Sequence, residues 1–168
     1  MISKTLLKLI DTAILPAVAI VTGKLLGMAL ISSKLGIPFT LNLKSLPPAA
    51  SSTLNTYSNI FAYGGVALGV LLIMARSYFF HSSHISPQVT IRLHAINLTS
   101  IISTTYELFH QAIIWMSYLW LLTLLFLLQA YWELVSPQMA GAVLGTTVIL
   151  SFFFIRDVDR EVDIFALK

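Results

Sequence analysis

The stretch "AIIWMSYLWLLTLLFLL", residues 112–128, is the most apolar part of its segment and carries no charge. A helix of about 20 such residues spans the hydrocarbon core of a bilayer, which is about 30 Å thick. Four segments have this character: about 5–33, 53–80, 98–129 and 137–155. Only 10% of the 168 residues are charged, against about 25% in a soluble domain. So few charges cannot clothe a water-exposed surface, so lipid is the solvent. The predicted fold is all-α, a single four-helix transmembrane bundle over residues 1–168.

Local signals punctuate the spans. Ser3 can cap the first helix, with Ile2 before it as a staple. Pro16 removes a backbone donor inside that helix and predicts a kink. Ala17, Val18 and Ala19 resemble a signal-peptide cleavage site, but Asp11 interrupts the apolar run before it, so the segment is read as a retained span. Pro47 and Pro48 are expected to delay the second helix until Ser51 or Ser52 caps it. "ISPQV" at 85–89 and "VSPQM" at 135–139 share the Ser N-cap with Pro at N1. Nothing around the two copies matches, so they are two helix starts and not a duplicated unit. The first copy predicts that helix three extends from about 87. A helix from 87 to 129 would be about 64 Å long, so its first part is expected to project from the membrane or bend along it.

Cations set the orientation. With four crossings and the N-terminus inside, Lys4, Lys8, Arg76, Arg92, Arg156, Arg160 and Lys168 share the inner side, and Lys34 and Lys44 the outer. The positive-inside rule therefore predicts N-in, C-in, in a bacterial or organellar inner membrane. Tyr131 and Trp132 then anchor the outer boundary. The dispersed cations form no basic stripe interleaved with exposed aromatics, so nucleic acid is not an expected partner.

The inner-side tail, 156–168, is unusually charged. Arg156, Asp157, Asp159, Arg160, Glu161 and Asp163 crowd into "RDVDREVD". On a helix, Arg160 lies three residues from Asp157 and Asp163. Such pairs can satisfy one another in water or form a docking handle for a partner. Exposed pairs contribute about 0–1 kcal/mol each, so specificity is a better reason for the pattern than stability.

Glycine placement is the other strong signal. Gly23 and Gly27, Gly65 and Gly69, and Gly141 and Gly145 form three GxxxG motifs in spans one, two and four. The spacing puts both glycines on one face, where another backbone can approach closely. Span three carries Trp115, Tyr118, Trp120 and Phe126 instead, expected to face lipid or a bulky interface.

Ionisable groups in or near the bilayer are functional candidates. Asp11, near the inner surface, is within reach of water or Lys8. Lys24 lies deeper and either pairs inside the protein or snorkels to a headgroup or solvent. Glu107 and His110 have the Glu-x-x-His spacing of di-iron bundles, but no second copy accompanies them. His81, His84, His94 and His110 all fall on the inner side, where two could face each other across a haem or three hold a metal ion. The plainer alternative is interfacial histidines bonded to water, headgroups or backbone. The chain has no cysteine, which excludes disulfides and thiolate chemistry. No nucleophile elbow, P-loop or dinucleotide fingerprint is present.

The function these features favour is a non-catalytic integral membrane subunit: a scaffold, anchor or assembly element, in contact with lipid and other subunits or further copies of itself. A small oligomeric transporter or channel is the first alternative. Its polar line would have to be built from Asp11, Thr22, Lys24, Asn97 and Glu107, without a visible inverted repeat. A haem- or quinone-associated redox subunit is the second.

Overall fold

Four long helices dominate the computed structural model, which describes residues 4–80, 85–98 and 105–166. They are α1 (Lys4–Leu35), α2 (Pro48–Phe80), α4 (Thr105–Tyr131) and α5 (Pro137–Ala166), with a short α3 (Pro87–Ala95) between the second and third. The long four are each long and apolar enough to cross a membrane, the apolar segments being Thr12–Leu35, Pro48–Phe79, Glu107–Tyr131 and Pro137–Val158. A 3-10 turn, Leu43–Ser45, lies in the link between α1 and α2.

Two boundaries differ from expectation. α2 begins at Pro48 rather than near residue 53, because proline is tolerated in the first turn, where its missing N–H would have no partner anyway. Ser51 N–H already donates to Pro47 C=O at 2.9 Å. The continuous helix expected from about 87 instead ends at Ala95, and α4 begins at Thr105. The stop is chemical: Asn97 adopts φ 55°, Leu98 N–H donates to Leu93 C=O, and Asn97 N–H donates to His94 C=O. This is a Schellman closure, with asparagine taking the left-handed position usually held by glycine.

The same closure ends α1 and α4. Gly36 has φ 66°, and Ile37 N–H donates to Ser32 C=O at 3.0 Å. Glu133 has φ 58°, and Leu134 N–H donates to Gln129 C=O at 2.8 Å. Helix starts follow the sequence: Ser86 and Ser136 side chains accept from Val89 N–H and Met139 N–H, ahead of Pro87 and Pro137. α1 runs unbroken in helical geometry through Pro16, which is fully buried.

α2 is the hub: it packs along α1, along α4 and, less extensively, against α5, while α4 also packs on α5. Its inward face repeats at helical spacing through Leu54, Ser58, Ala62, Val66 and Val70. The core adds Met116, Leu119, Phe126, Val143 and Leu150. Phe126, expected to face lipid or an interface, is instead inside, its ring edge-on to Tyr63 at 6.2 Å. α3 buries none of its residues.

The contacts also set the register. Asn59, well inside α2, meets Gln129 near the end of α4, whereas Ser77 near the end of α2 meets Asp157 of α5. α2 therefore starts 11 residues before the level of Gln129, and since α4 ends two residues after Gln129, the α1–α2 hairpin continues past the end of α4 by about 9 residues of α2, or about 14 Å.

Left-handed backbone costs an L-residue about 1–2 kcal/mol, and glycine avoids this at some cost in chain entropy. No atom lies near a Cβ built on Gly36. Gly36→Ala is therefore expected to lower stability by about 1 kcal/mol and Glu133→Gly to raise it by about 0.5–1 kcal/mol. Thermal unfolding in mild detergent measures both; shifts of the same sign would contradict the assignment of strain to these two ends.

Candidate functional site

Three sets of side chains stand out from the apolar background: a hydroxyl network in the core, an amide and lysine pocket between α1, α2 and α4, and a polar corner where α2 and α5 meet.

The hydroxyl network joins three helices. Tyr63 Oη of α2 donates to Val143 C=O at 3.1 Å and lies 2.9 Å from Thr147 Oγ1 of α5. Thr147 Oγ1 is in turn 2.7 Å from Thr123 Oγ1 of α4. Val143 and Leu119 carbonyls also lie 3.0 and 2.8 Å from Thr147 and Thr123 Oγ1, so the single proton of each threonine goes either to a carbonyl of its own helix or to a neighbouring hydroxyl. Both threonines are fully buried. Nearby, Trp120 Nε1 donates to Ser151 Oγ at 3.1 Å, which ties α4 to α5 again. No acid or base takes part in these contacts, so their chemistry is that of a clamp.

The pocket, about 180 Å³ in volume, is bordered by Lys24 of α1, Asn59 of α2 and Gln129 of α4, over Leu122, Leu125 and Phe126. Asn59 Nδ2 donates to Gln129 Oε1 at 3.2 Å. At the polar corner, Ser77 Oγ donates to Asp157 Oδ2 at 2.8 Å. Arg156, Met74, Tyr78 and Phe153 border a cleft of about 290 Å³ beside it. Asp157, read from the sequence as part of a docking tail, thus also holds α5 to α2. Asp159, Arg160, Glu161 and Asp163 continue α5 as helix, and their side chains lie outside the described residues.

The glycines divide by environment. A Cβ on Gly23 would lie 2.7 Å from Phe61 O, and one on Gly27 2.8 Å from Ser58 Cα. A Cβ on Gly65 would lie 3.1 Å from Ala19 O, while one on Gly69 would fall inside the Trp115 indole. Around Gly141 and Gly145 there is open space. A shallow apolar groove of about 650 Å³ runs between α1 and α2 beside Gly23 and Gly64.

Of the four histidines, two lie among the described residues. His94 is exposed on α3 and His110 partly buried on α4, while His81 and His84 lie outside the described residues. Among the described residues no three His, Asp or Glu side chains converge as metal ligands would. Sequence reasoning singled out Lys24 but missed Asn59 and Gln129. Two carboxamides inside otherwise apolar spans were the available signal.

Two measurements test this geometry. Gly69→Ala is expected to destabilise the fold by about 1–3 kcal/mol through overpacking. Gly141→Ala should be neutral or stabilising by up to about 1 kcal/mol, since it relieves glycine's helix cost in open space. Equal effects at the two positions would refute the difference. For the hydroxyl clamp, a double-mutant cycle of Tyr63→Phe and Thr147→Val should give a coupling of about 0.6 kcal/mol, the average for hydrogen bonds between membrane helices. Strict additivity would show that the clamp carries no energy.

The sequence matches no protein-family model, no curated protein and no solved structure at a significant level.

Proposed function

We propose that this chain is a non-catalytic integral membrane subunit, an anchor or assembly element that packs beside other subunits of a membrane complex. The observation that carries the reading is the open face of α5 at Gly141 and Gly145. Small residues four apart, with nothing near their would-be Cβ atoms, leave a helix surface where another backbone can come close. In lipid, such close approach is a main source of association, because lipid tails are as apolar as the helices. The other two motifs are read as packing faces within the chain: Gly23 and Gly27 lie against α2, and Gly65 and Gly69 against α1 and α4.

The rest of the chemistry is consistent with that role. The buried hydroxyls clamp helices together. The charged end of α5 continues as helix past the apolar segment that ends at Val158, where it can present acids and bases to a partner. The proposed topology is N-in, C-in in a bacterial or organellar inner membrane, with the cation-rich ends on the retained side.

Purification in mild detergent tests the reading. The native chain should co-purify with other membrane proteins in fixed ratio. Gly145→Leu should release them by about tenfold while the chain itself keeps its melting temperature, since the substitution meets open space in the chain. A native chain that purifies without partners, or a Gly145→Leu variant that keeps its full complement, would overturn it.

A further inference from the structure

The pocket between α1, α2 and α4 is built for an anion attached to an alkyl group. Lys24 has no hydrogen-bond or ion-pair partner among the described residues, although its side chain is partly buried. The Asn59–Gln129 bond occupies Gln129 Oε1 and leaves the Gln129 Nε2 donor uncommitted. The pocket thus offers an ammonium, amide N–H groups of Gln129 and Asn59 and one amide oxygen, Asn59 Oδ1, and no carboxylate borders it. Surplus donors with one net positive charge select an oxyanion. The remaining walls are hydrocarbon: Leu122 and Phe126 are buried, and Leu125, 44% exposed, forms a lip toward lipid.

Depth points the same way. Lys24 falls in the middle of the apolar segment Thr12–Leu35, where a charge is costly. The offset of the hairpins places it beside Gln129, just before exposed Tyr131 and Trp132. Tyrosine and tryptophan favour the headgroup level of a bilayer. Lys24 is therefore level with the end of α4, two residues before Tyr131, despite its central place in its own apolar run.

We infer that this pocket binds the phosphate of an anionic phospholipid from the leaflet that bounds the α4–α5 turn. Lys24 and Gln129 Nε2 hold the phosphate, Asn59 fixes Gln129, and an acyl chain descends over Leu125. A volume of about 180 Å³ admits the phosphate and the first glycerol carbons, and leaves the acyl chains outside along the helices.

The test uses the full chain in mild detergent, with phosphatidylglycerol or phosphatidylcholine added and bound lipid read by native mass spectrometry. The chain should retain one phosphatidylglycerol in preference to phosphatidylcholine. Lys24→Gln should weaken that retention by about tenfold, the worth of one charge-assisted hydrogen bond, and Lys24→Arg should preserve it. Gln129→Glu keeps an acceptor for Asn59 and should abolish the preference by supplying Lys24 with a carboxylate. Lys34→Gln, at the other end of α1's last turns, should leave retention unchanged. Excess inorganic phosphate should not displace the lipid. Equal retention of both lipids, equal loss with Lys34→Gln, unaltered retention with Lys24→Gln, or displacement by inorganic phosphate would overturn the assignment. Melting temperatures of the variants separate loss of lipid from loss of fold.

Discussion

A solvent that accepts no hydrogen bonds governs this structure. In hydrocarbon every backbone polar group must be satisfied by the protein itself, so helix is the form each span takes. Lipid also removes the usual drive to bury apolar side chains, since they are equally at ease outside. What holds helices together is then close approach and the few polar contacts between them. The molecule concentrates both on α2. Its small and hydroxyl-bearing face admits α1 at Gly23 and Gly27. Its Tyr63, Asn59 and Ser77 reach α5 and α4 through hydrogen bonds.

Those contacts do more than hold: they set how far each helix slides along its neighbour. Asn59 with Gln129 and Ser77 with Asp157 fix α2 against α4 and α5. The α1–α2 hairpin consequently continues beyond the α4–α5 turn. This offset changes the meaning of individual residues. Lys24 is central in its own apolar segment yet level with the end of α4, close to the aromatic pair Tyr131 and Trp132. The first turns of α2, rich in alanine, serine and threonine, extend past that level, which suits a stretch leaving the hydrocarbon.

Spans and starts were legible because lipid and helix caps impose local rules. Four apolar runs gave the four long helices, and Ser-Pro at 86–87 and 136–137 gave two helix starts. The inward faces were not legible. In water, a helix marks its buried side by its apolar stripe, but here Leu25, Leu68 and Leu121 are exposed and as apolar as the core. Only subtler marks remain, such as Ser58, Ala62 and Val66 at four-residue spacing. Phe126 turned inward because Tyr63 presents a ring to it, a fact of tertiary packing. The end of α3 depended on Asn97 adopting a left-handed conformation. That residue type permits such a backbone without requiring it. Identical GxxxG spellings likewise met a neighbouring backbone, an indole and open space.

Lipid as the solvent, crossed four times by helices of alternating direction, underlies the whole reading. Because the chain has no cysteine, single cysteines can be placed without background. In sealed, uniformly oriented vesicles, an impermeant maleimide should modify Lys44→Cys and Glu133→Cys from one side and Lys168→Cys only from the other. Modification of Lys44→Cys and Lys168→Cys from a common side would contradict it.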